Sequence, residues 1–299
     1  MTVLHGTILG GLSTVPDLPL ALAAYRDTLG LRLVEQGTLD ASLAASWGCV
    51  ANARARYATL QPQSGADCWM RLVEQPAHPD FKPTRSYGWA AFECTVQDVW
   101  GWPDRLPSDH FEIVGPPKEI TGIEPAFIPM QVLGPGREMV YLNEVLRDMP
   151  DSDLPRAASP VDRIFICVLA TPDRDQAVAW YADTLGLDRG ADFTIPYSMI
   201  NNAFGLAPDT LTTLTMVSAG RMPVVEVDDY PDATIKRPRH DAHLPPGNAL
   251  VTLAVDSLDA CDAEWIAQPA ERAGALYEGR RAATTVGPAG ELLELVEIA

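Results

Sequence analysis

The sequence contains an internal repeat, and this repeat limits the possible folds more than any other feature of the chain. Residues 8–31 and 164–187 share a Pro-Asp pair, a tyrosine and the segment Asp-Thr-Leu-Gly-Leu in the same order. The ends of the two copies also correspond, with GPGREMVYLNEV at 134–145 and GPAGELLELVEI at 287–298. We therefore expect two copies of one structural unit.

A proline-containing segment, MPDSDLPRAASP, lies between the two copies and is typical of a linker. The 299 residues of the chain are also enough for about two domains of ordinary size. We therefore predict a first domain at 1–149, a linker at 150–157 and a second domain at 158–299.

Each copy begins with an apolar run, a Pro-Asp turn and an amphipathic segment that predicts a helix. Gly30 and Gly186 follow these segments at the position where glycine commonly ends a helix. Short strand-like runs come next, and a second series of the same kind begins near Tyr87 in one copy and near Gly247 in the other. The pattern predicts two βαβββ units in each copy, and so four such modules in the chain.

The charge balance excludes two classes of partner. The chain carries 40 acidic and 22 basic residues, and its net charge of -18 repels phosphate backbones and anionic lipid surfaces. We therefore expect neither a nucleic-acid partner nor a membrane partner. No apolar run is long enough for a membrane span, and the N-terminus lacks the features of a signal peptide, which favours a cytoplasmic protein.

The helix endings AYRDTLGL and WYADTLGL and the closing strand GPAGELLEL resemble those of the vicinal oxygen chelate superfamily. This superfamily includes glyoxalase I, extradiol dioxygenases and bleomycin resistance proteins. The resemblance implies an α+β fold in which tandem βαβββ modules form two U-shaped eight-stranded mixed sheets with flanking helices, each around a cavity. It leaves open whether the modules pair within one copy or across the two copies.

In most members of that superfamily a divalent metal lies in the cavity, held by a first-strand histidine and a last-strand glutamate. The corresponding first-strand positions, near Gly10 and Ile166, have no metal-binding side chain. Selective binding of a transition metal usually depends on imidazole, so we predict that the usual metal site has been lost and expect no cofactor. A divalent metal stays possible through irregular ligands such as His5 or the His-Asp-Ala-His segment that begins at His240.

The last strands carry different residues where the resemblance implies carboxylates. Arg71 and Tyr141 stand at these positions in the first copy, whereas Glu226 and Glu294 match the family in the second copy. Because side chains alternate between the two faces of a strand, Glu93 is also predicted to point into the first cavity. We predict that the first copy supplies an anion clamp, a base and an acid, and that the two glutamates of the second copy share a cavity in which one pKa is raised. A purely structural Arg71–Glu93 ion pair is the alternative reading of the first cavity.

Four further residues are candidates for substrate binding. Trp69 and Asn143 lie two residues from Arg71 and Tyr141 on the same strand faces. Tyr230 and His240 belong to a long proline-containing segment that is predicted to form a cavity rim or lid.

The leading hypothesis for function is a small-molecule enzyme that works without the usual metal. It would catalyse a proton transfer of the isomerase, lyase or hydratase type on an aromatic or carbonyl metabolite. One alternative is a metal-dependent extradiol dioxygenase or glyoxalase with irregular ligands, and another is a non-catalytic binding protein of the bleomycin-resistance type. Because two full copies lie in one chain, we expect a monomer or a homodimer.

Overall fold

The computed structural model of the protein describes residues 3–119 and 126–298. These residues form sixteen strands, which are divided equally among four modules. Module 1 contains β1 (Ile8–Val15), β2 (Arg32–Thr38), β3 (Arg56–Gln61) and β4 (Trp69–Glu74). Module 2 contains β5 (Gly88–Val96), β6 (Glu112–Gly115), β7 (Phe127–Leu133) and β8 (Met139–Val145). Module 3 contains β9 (Val161–Thr171), β10 (Asp188–Pro196), β11 (Leu211–Ala219) and β12 (Met222–Asp229). Module 4 contains β13 (Gly247–Val255), β14 (Ala270–Glu271), β15 (Arg281–Val286) and β16 (Leu292–Glu297).

The helices of the described residues are short and connect strands. They are α1 (Leu18–Ala23), which continues into a π-helical turn (Ala24–Thr28), α2 (Ala41–Ser46), α3 (Trp102–Arg105), α4 (Arg174–Leu185) and α5 (Ser198–Phe204). Single 3-10 turns are found at Val50–Asn52, Val99–Gly101 and Leu258–Ala260. Within the part of the chain that the structure describes, none of the helices has the length and apolar character needed to cross a membrane.

The four modules form two eight-stranded mixed sheets, as the resemblance implied. Sheet 1 has the strand order β14-β15-β16-β13-β1-β4-β3-β2, and sheet 2 has the order β10-β11-β12-β9-β5-β8-β7-β6. At the centre of each sheet two first strands pair in antiparallel fashion, β1 with β13 and β5 with β9. Sheet 1 therefore combines modules 1 and 4, and sheet 2 combines modules 2 and 3. The segment 150–157 divides the two sequence copies, but each sheet takes one module from either side of it.

The predicted helices begin and end where their capping residues stand. Asp17 and Asp173 each accept a hydrogen bond from the backbone N–H three residues further on, at 3.0 Å in both cases. This bond satisfies one of the N–H groups that a helix start leaves without a partner. Gly186 ends α4 in the left-handed conformation, with φ of 67°, and Gly30 has φ of 75°. Both glycines are therefore used as the sequence predicted.

The repeated tyrosine and the repeated glutamate of the sequence copies bind each other. The hydroxyl of Tyr25 donates to Glu138 at 2.8 Å, and the hydroxyl of Tyr181 donates to Glu291 at 2.9 Å. Each tyrosine belongs to a helix that accompanies one sheet, whereas each glutamate lies in a hairpin of the other sheet. These two buried bonds therefore join the sheets to each other.

The main hydrophobic core lies where the two sheets face each other. Gly11 on β1 packs directly against the ring of Phe92 on β5, and a Cβ atom at this glycine would come within 2.5 Å of that ring. The central strands of the sheets can approach closely only because no side chain stands at Gly11. Separate apolar clusters cover the opposite, concave face of each sheet. The candidate site residues belong to these concave faces.

We predict that the two tyrosine–glutamate bonds stabilise the fold. Tyr25→Phe or Tyr181→Phe leaves a buried carboxyl without its hydroxyl donor, which should lower the free energy of unfolding by about 1–3 kcal/mol. Urea unfolding of the purified variants measures this loss. Tyr87→Phe is the matched control, because Tyr87 is half-buried and makes no side-chain hydrogen bond among the described residues. Equal stability of all three variants and the parent protein would contradict the proposed role.

Candidate functional site

The strand register decides which candidate residues meet. On the parallel strand pairs, Glu93 lies beside Tyr141 and Thr252 lies beside Glu294. The last strands of the other two modules contribute Arg71 to sheet 1 and Glu226 to sheet 2.

The grouping expected from the sequence is therefore wrong. Arg71 lies with Glu294 and apart from Glu93, while Glu93 and Tyr141 lie with Glu226. The physical reason is that the modules pair across the two sequence copies. A structural Arg71–Glu93 ion pair is excluded on the same ground.

The concave face of sheet 1 holds a closed network around a buried ion pair, which we call the Arg71 cluster. It consists of Arg71, Glu294, Thr252, Tyr277 and Trp47. Arg71 Nη2 donates to Glu294 at 2.8 Å, and Nη1 donates to the hydroxyl of Tyr277 at 2.6 Å. Trp47 Nε1 and the Tyr277 hydroxyl both donate to Glu294 Oε1 at 2.8 Å. Both oxygens of Glu294 are thus fully used.

The Arg71 cluster is shielded from solvent. Arg71 is 5% exposed and Glu294 is 1% exposed, and the guanidinium lies over the rings of both Trp47 and Tyr277. Trp69, a predicted substrate-binding residue, is buried in the core of sheet 1 against Tyr277 and neighbouring aliphatic side chains. Arg71 Nε has no hydrogen-bond partner among the described residues, but the charges of Arg71 and Glu294 compensate each other, so we assign this face to the support of the fold.

The concave face of sheet 2 holds three carboxyl groups, Glu93, Glu226 and Asp228, which we call the acid cluster. Asn143 Nδ2 donates to Glu93 at 2.5 Å, which places this predicted residue at the cluster. Asp228 is hydrogen-bonded to Glu226 when one of the two holds a proton, and its oxygens have no other partner among the described residues. Within those residues the acid cluster forms no ion pair with a cation.

Two tyrosines extend the acid cluster along the face. The Tyr197 hydroxyl donates to Glu226 Oε1 at 2.9 Å and lies 3.2 Å from the hydroxyl of Tyr141. Burial raises the pKa of both tyrosines well above the usual range, so their hydroxyls stay protonated. Tyr141, Tyr197 and Glu226 therefore form a continuous hydrogen-bonded chain.

Burial without a counter-charge changes the titration of the acid cluster. Burial raises the pKa of Glu226 to about 7, although the hydrogen bond from Tyr197 opposes this shift. The pKa of Glu93 is raised well above its ordinary range by burial and by the charge of Glu226. Burial and the neighbouring Glu226 raise the pKa of Asp228 in the same way. At neutral pH the acid cluster therefore retains protons, and Glu226 is the member that titrates there.

Glu226 is also the member that solvent can reach. Its side chain is half-buried, as is that of Tyr197, whereas Glu93 is 3% exposed and Asp228 is 0% exposed. The apolar cluster beside them includes residues of α5 and the predicted rim residue Tyr230, whose ring meets that of Phe204 edge to face at 6.2 Å. The acid cluster thus lies under an aromatic and apolar cover with Glu226 at its accessible side.

His240 lies away from both clusters. Its ring packs against that of His78, with 4.6 Å between the centroids, and its Nε2 lies 3.3 Å from the carbonyl oxygen of Ala77. These contacts connect two loops at the surface. The structure therefore does not support the predicted role of His240 beside the other substrate-binding candidates.

Five residues described above were not predicted, among them Thr252, which lies beside Glu294 on the neighbouring strand. Asp228 follows Glu226 by two residues and so shares its strand face, and this alternation could have identified it. Tyr197, Trp47 and Tyr277 belong to segments that connect strands, and their sequence neighbourhoods contain no periodic signal.

The side chains present do not fit the divalent metal that the resemblance implies. The first-strand residues beside the last-strand positions are Leu12, Glu93, Val168 and Thr252, none of which offers an imidazole. In sheet 1 the guanidinium of Arg71 occupies the position next to Glu294 and would repel a cation. Among residues 3–119 and 126–298, no group of three or more His, Cys, Asp or Glu side chains is arranged to hold a metal ion.

Comparisons with known proteins agree with this architecture. Residues 9–123 match the family model of the glyoxalase/bleomycin resistance protein/dioxygenase superfamily. Glyoxalase I from Zea mays superposes with a TM-score of 0.63 at 16% identity, over 97% of this chain and 92% of that chain. A proposed dioxygenase from Bacillus subtilis superposes with a TM-score of 0.59 at 10% identity, over 99% of this chain and 86% of that chain. No curated protein matches the sequence. At these identities the superpositions show a common fold.

We predict that the Arg71 cluster is needed for stability. Arg71→Met leaves the buried Glu294 carboxylate without its counter-charge and should lower the free energy of unfolding by about 3–5 kcal/mol. The double variant Arg71→Met/Glu294→Gln should recover a large part of this loss, because a neutral amide needs no counter-charge. Arg221→Met is the control, since its ion pair with Asp153 is exposed and should contribute less than about 1 kcal/mol. Urea unfolding in which the double variant is no more stable than Arg71→Met would contradict this role.

We also predict that stability falls as pH rises from about 4.5 to about 7. Glu226 keeps its proton in the folded state up to about pH 7, whereas the unfolded chain releases it near pH 4.5. Glu138 and Glu291, whose pKa values burial also raises to about 7, act in the same direction. Urea unfolding at several pH values measures the slope, and Glu226→Gln should make it shallower. A free energy of unfolding that rises through this window would contradict the assigned protonation.

Proposed function

We propose that the chain is a small-molecule enzyme that catalyses a proton transfer at the acid cluster, and the match of residues 9–123 to the family model of the glyoxalase/bleomycin resistance protein/dioxygenase superfamily supports this proposal. The observation that carries this proposal is the environment of Glu226. This carboxyl group is half-buried, has a pKa raised to about 7 and accepts a hydrogen bond from Tyr197. A general base is most effective when its pKa lies near the working pH.

The geometry supports a simple division of roles. Glu226 in its ionised form removes a proton from a carbon atom next to the carbonyl group of the substrate. The hydroxyl of Tyr141, which stays protonated, donates a hydrogen bond to the oxygen on which negative charge develops. Tyr197 bonds to Glu226 and orients it, and is therefore a positioning residue. With an α-hydroxyketone, the proton held by Glu226 then goes to the former carbonyl carbon while the hydroxyl proton passes to the former carbonyl oxygen, so the net reaction is an isomerisation and needs no oxidant.

The surroundings of the acid cluster favour an aromatic or carbonyl compound. Tyr230, Phe204 and Met199 supply aromatic and apolar surface next to the carboxyl groups. A planar and largely apolar substrate would pack against this surface while its carbonyl group reaches the tyrosine hydroxyls. Glu93, which keeps its proton, would add no charge to repel the developing oxyanion.

We infer that this reaction does not use the usual metal of the superfamily, because the donor set offers oxygen atoms and no imidazole at the strand positions. Elemental analysis of protein purified without chelator tests the inference. A stoichiometric transition metal would contradict it and would favour the alternative function, a metal-dependent dioxygenase or glyoxalase with irregular ligands. A cytoplasmic location and a monomeric or homodimeric state remain predictions from the sequence.

We predict that Glu226→Gln abolishes catalysis. Proton NMR in D2O measures loss of the C–H signal next to the carbonyl group in a panel of α-hydroxyketones and aryl ketones. The parent protein should accelerate exchange of at least one compound, and Glu226→Gln should slow it by about 10²-fold or more. Glu291→Gln is the matched control, because it removes a carboxyl group of similar pKa that lies outside the acid cluster.

The pH profile separates a positioning role of Tyr197 from a general loss of structure. Tyr197→Phe removes a hydrogen bond that lowers the pKa of Glu226. The pH at which exchange reaches half of its maximum should therefore move upward from about 7. An unchanged midpoint would contradict this role. Tight binding of a compound without exchange in the parent protein would identify a binding protein instead of an enzyme.

A further inference from the structure

A cavity of about 670 Å³ has no lining residue in common with the Arg71 cluster or the acid cluster. One wall is the segment that joins β12 to β13, and the facing wall is the hairpin between β15 and β16. Three cationic residues of the first wall line it, namely Lys236, Arg237 and Arg239. We call this cavity the basic cleft. Its positive lining is unusual in a chain with a net charge of -18.

The three cations of the basic cleft have no anionic partner in the part of the chain that the structure describes. None of them forms an ion pair with a carboxylate among residues 3–119 and 126–298. Elsewhere most arginines do form such pairs, as Arg221 does with Asp153 at 2.8 Å. The positive charge of the basic cleft is therefore available to a ligand.

Arg237 is held in place while part of its guanidinium stays unused. Its Nε donates to the hydroxyl of Ser86 at 3.0 Å, and Nη1 donates to the carbonyl oxygen of Asn248 at 2.7 Å. The guanidinium also lies over the ring of Phe81, 5.8 Å from its centroid. Nη2 has no hydrogen-bond partner among the described residues. Burial of this uncompensated charge lowers the pKa of Arg237 to about 10, a cost that a bound anion would offset.

The opposite wall of the basic cleft is mostly apolar, and both carboxyl oxygens of its acidic residue, Glu291, accept hydrogen bonds, from the Tyr181 hydroxyl and from the Ala289 N–H. Val286, Pro288 and Ala289 belong to the hairpin, and Pro172 and Pro245 lie beside it. A volume of this size is enough for a small organic molecule and exceeds the need of a single inorganic ion. The cleft thus has a charged side and an apolar side.

We propose that the basic cleft binds a small organic anion, with a phosphate or carboxylate group at Lys236, Arg237 and Arg239 and an apolar body against the hairpin. A fixed guanidinium with a free N–H edge suits the oxygens of either group. The basic cleft shares no residue with the acid cluster, which has no cation among the described residues to pair with an anionic group. This site is therefore independent of the proposed catalytic function.

Isothermal titration calorimetry on the full chain at low salt tests the proposal with phenyl phosphate and benzoate as probes. Phenyl phosphate tests binding of a phosphate group and benzoate tests binding of a carboxylate group. Phenol, which has the same ring without a charge, is the control. We expect at least one anion to bind and phenol to bind at least about ten-fold more weakly. Raising the salt concentration should weaken the binding of the anion.

Charge reversal locates the site. Lys236→Glu/Arg239→Glu should weaken binding by at least about ten-fold, and both residues are exposed, so the fold should tolerate the change. Arg54→Glu/Lys118→Glu is the matched control, because it changes the net charge equally at exposed positions outside the basic cleft. Arg237→Gln should also reduce binding if urea unfolding shows that the variant is folded.

Three results would overturn the proposal. One is the absence of binding by both anions up to about 10 mM, and another is equal binding of phenol. The third is an equal loss of affinity in the control variant, which would mean that the anion responds only to the overall charge of the protein.

Discussion

The antiparallel pairing of first strands from opposite sequence copies is the constraint on which the rest of the structure depends. Gly10 of β1 is registered with Thr252 of β13, and Glu93 of β5 with Ile166 of β9. This pairing determines which last-strand side chains share a concave face. The hydrogen bonds from Tyr25 to Glu138 and from Tyr181 to Glu291 each connect two modules of one sequence copy. Because those two modules lie in different sheets, the bonds hold the sheets together.

The two concave faces show how the charge at corresponding positions changes the chemistry of a site. Arg71 in sheet 1 and Glu226 in sheet 2 stand at equivalent strand positions, beside Leu12 and Val168 respectively. The guanidinium neutralises its neighbouring carboxylate, and the aromatic donors complete a closed network. Sheet 2 has no such cation, so its carboxyl groups compensate for burial by keeping their protons. One face is thereby fixed as structure, while the other keeps a group that titrates near neutral pH.

The fold could be predicted from the sequence more fully than the site could. The modules, the capping residues and the strand positions of Arg71, Glu93 and Glu226 follow from local periodicity and from the repeat, which do not depend on distant contacts. The pairing of modules could not be read in this way, because all four first strands are similarly apolar and either arrangement would bury them. The conformations of the connecting segments that contain Tyr197 and Tyr277 depend on tertiary packing, so no local sequence pattern predicts where these two tyrosines lie.

The strand order also has a consequence for how the chain assembles. Modules 2 and 3 follow each other in sequence, so β5 and β9 can pair as soon as the middle of the chain is available. By contrast, β1 must wait for β13, which belongs to the last module. Contacts between such distant segments slow folding, since a long loop must close before they form. We therefore expect sheet 2 to form early in folding, and sheet 1, which joins the two ends of the polypeptide, to form last.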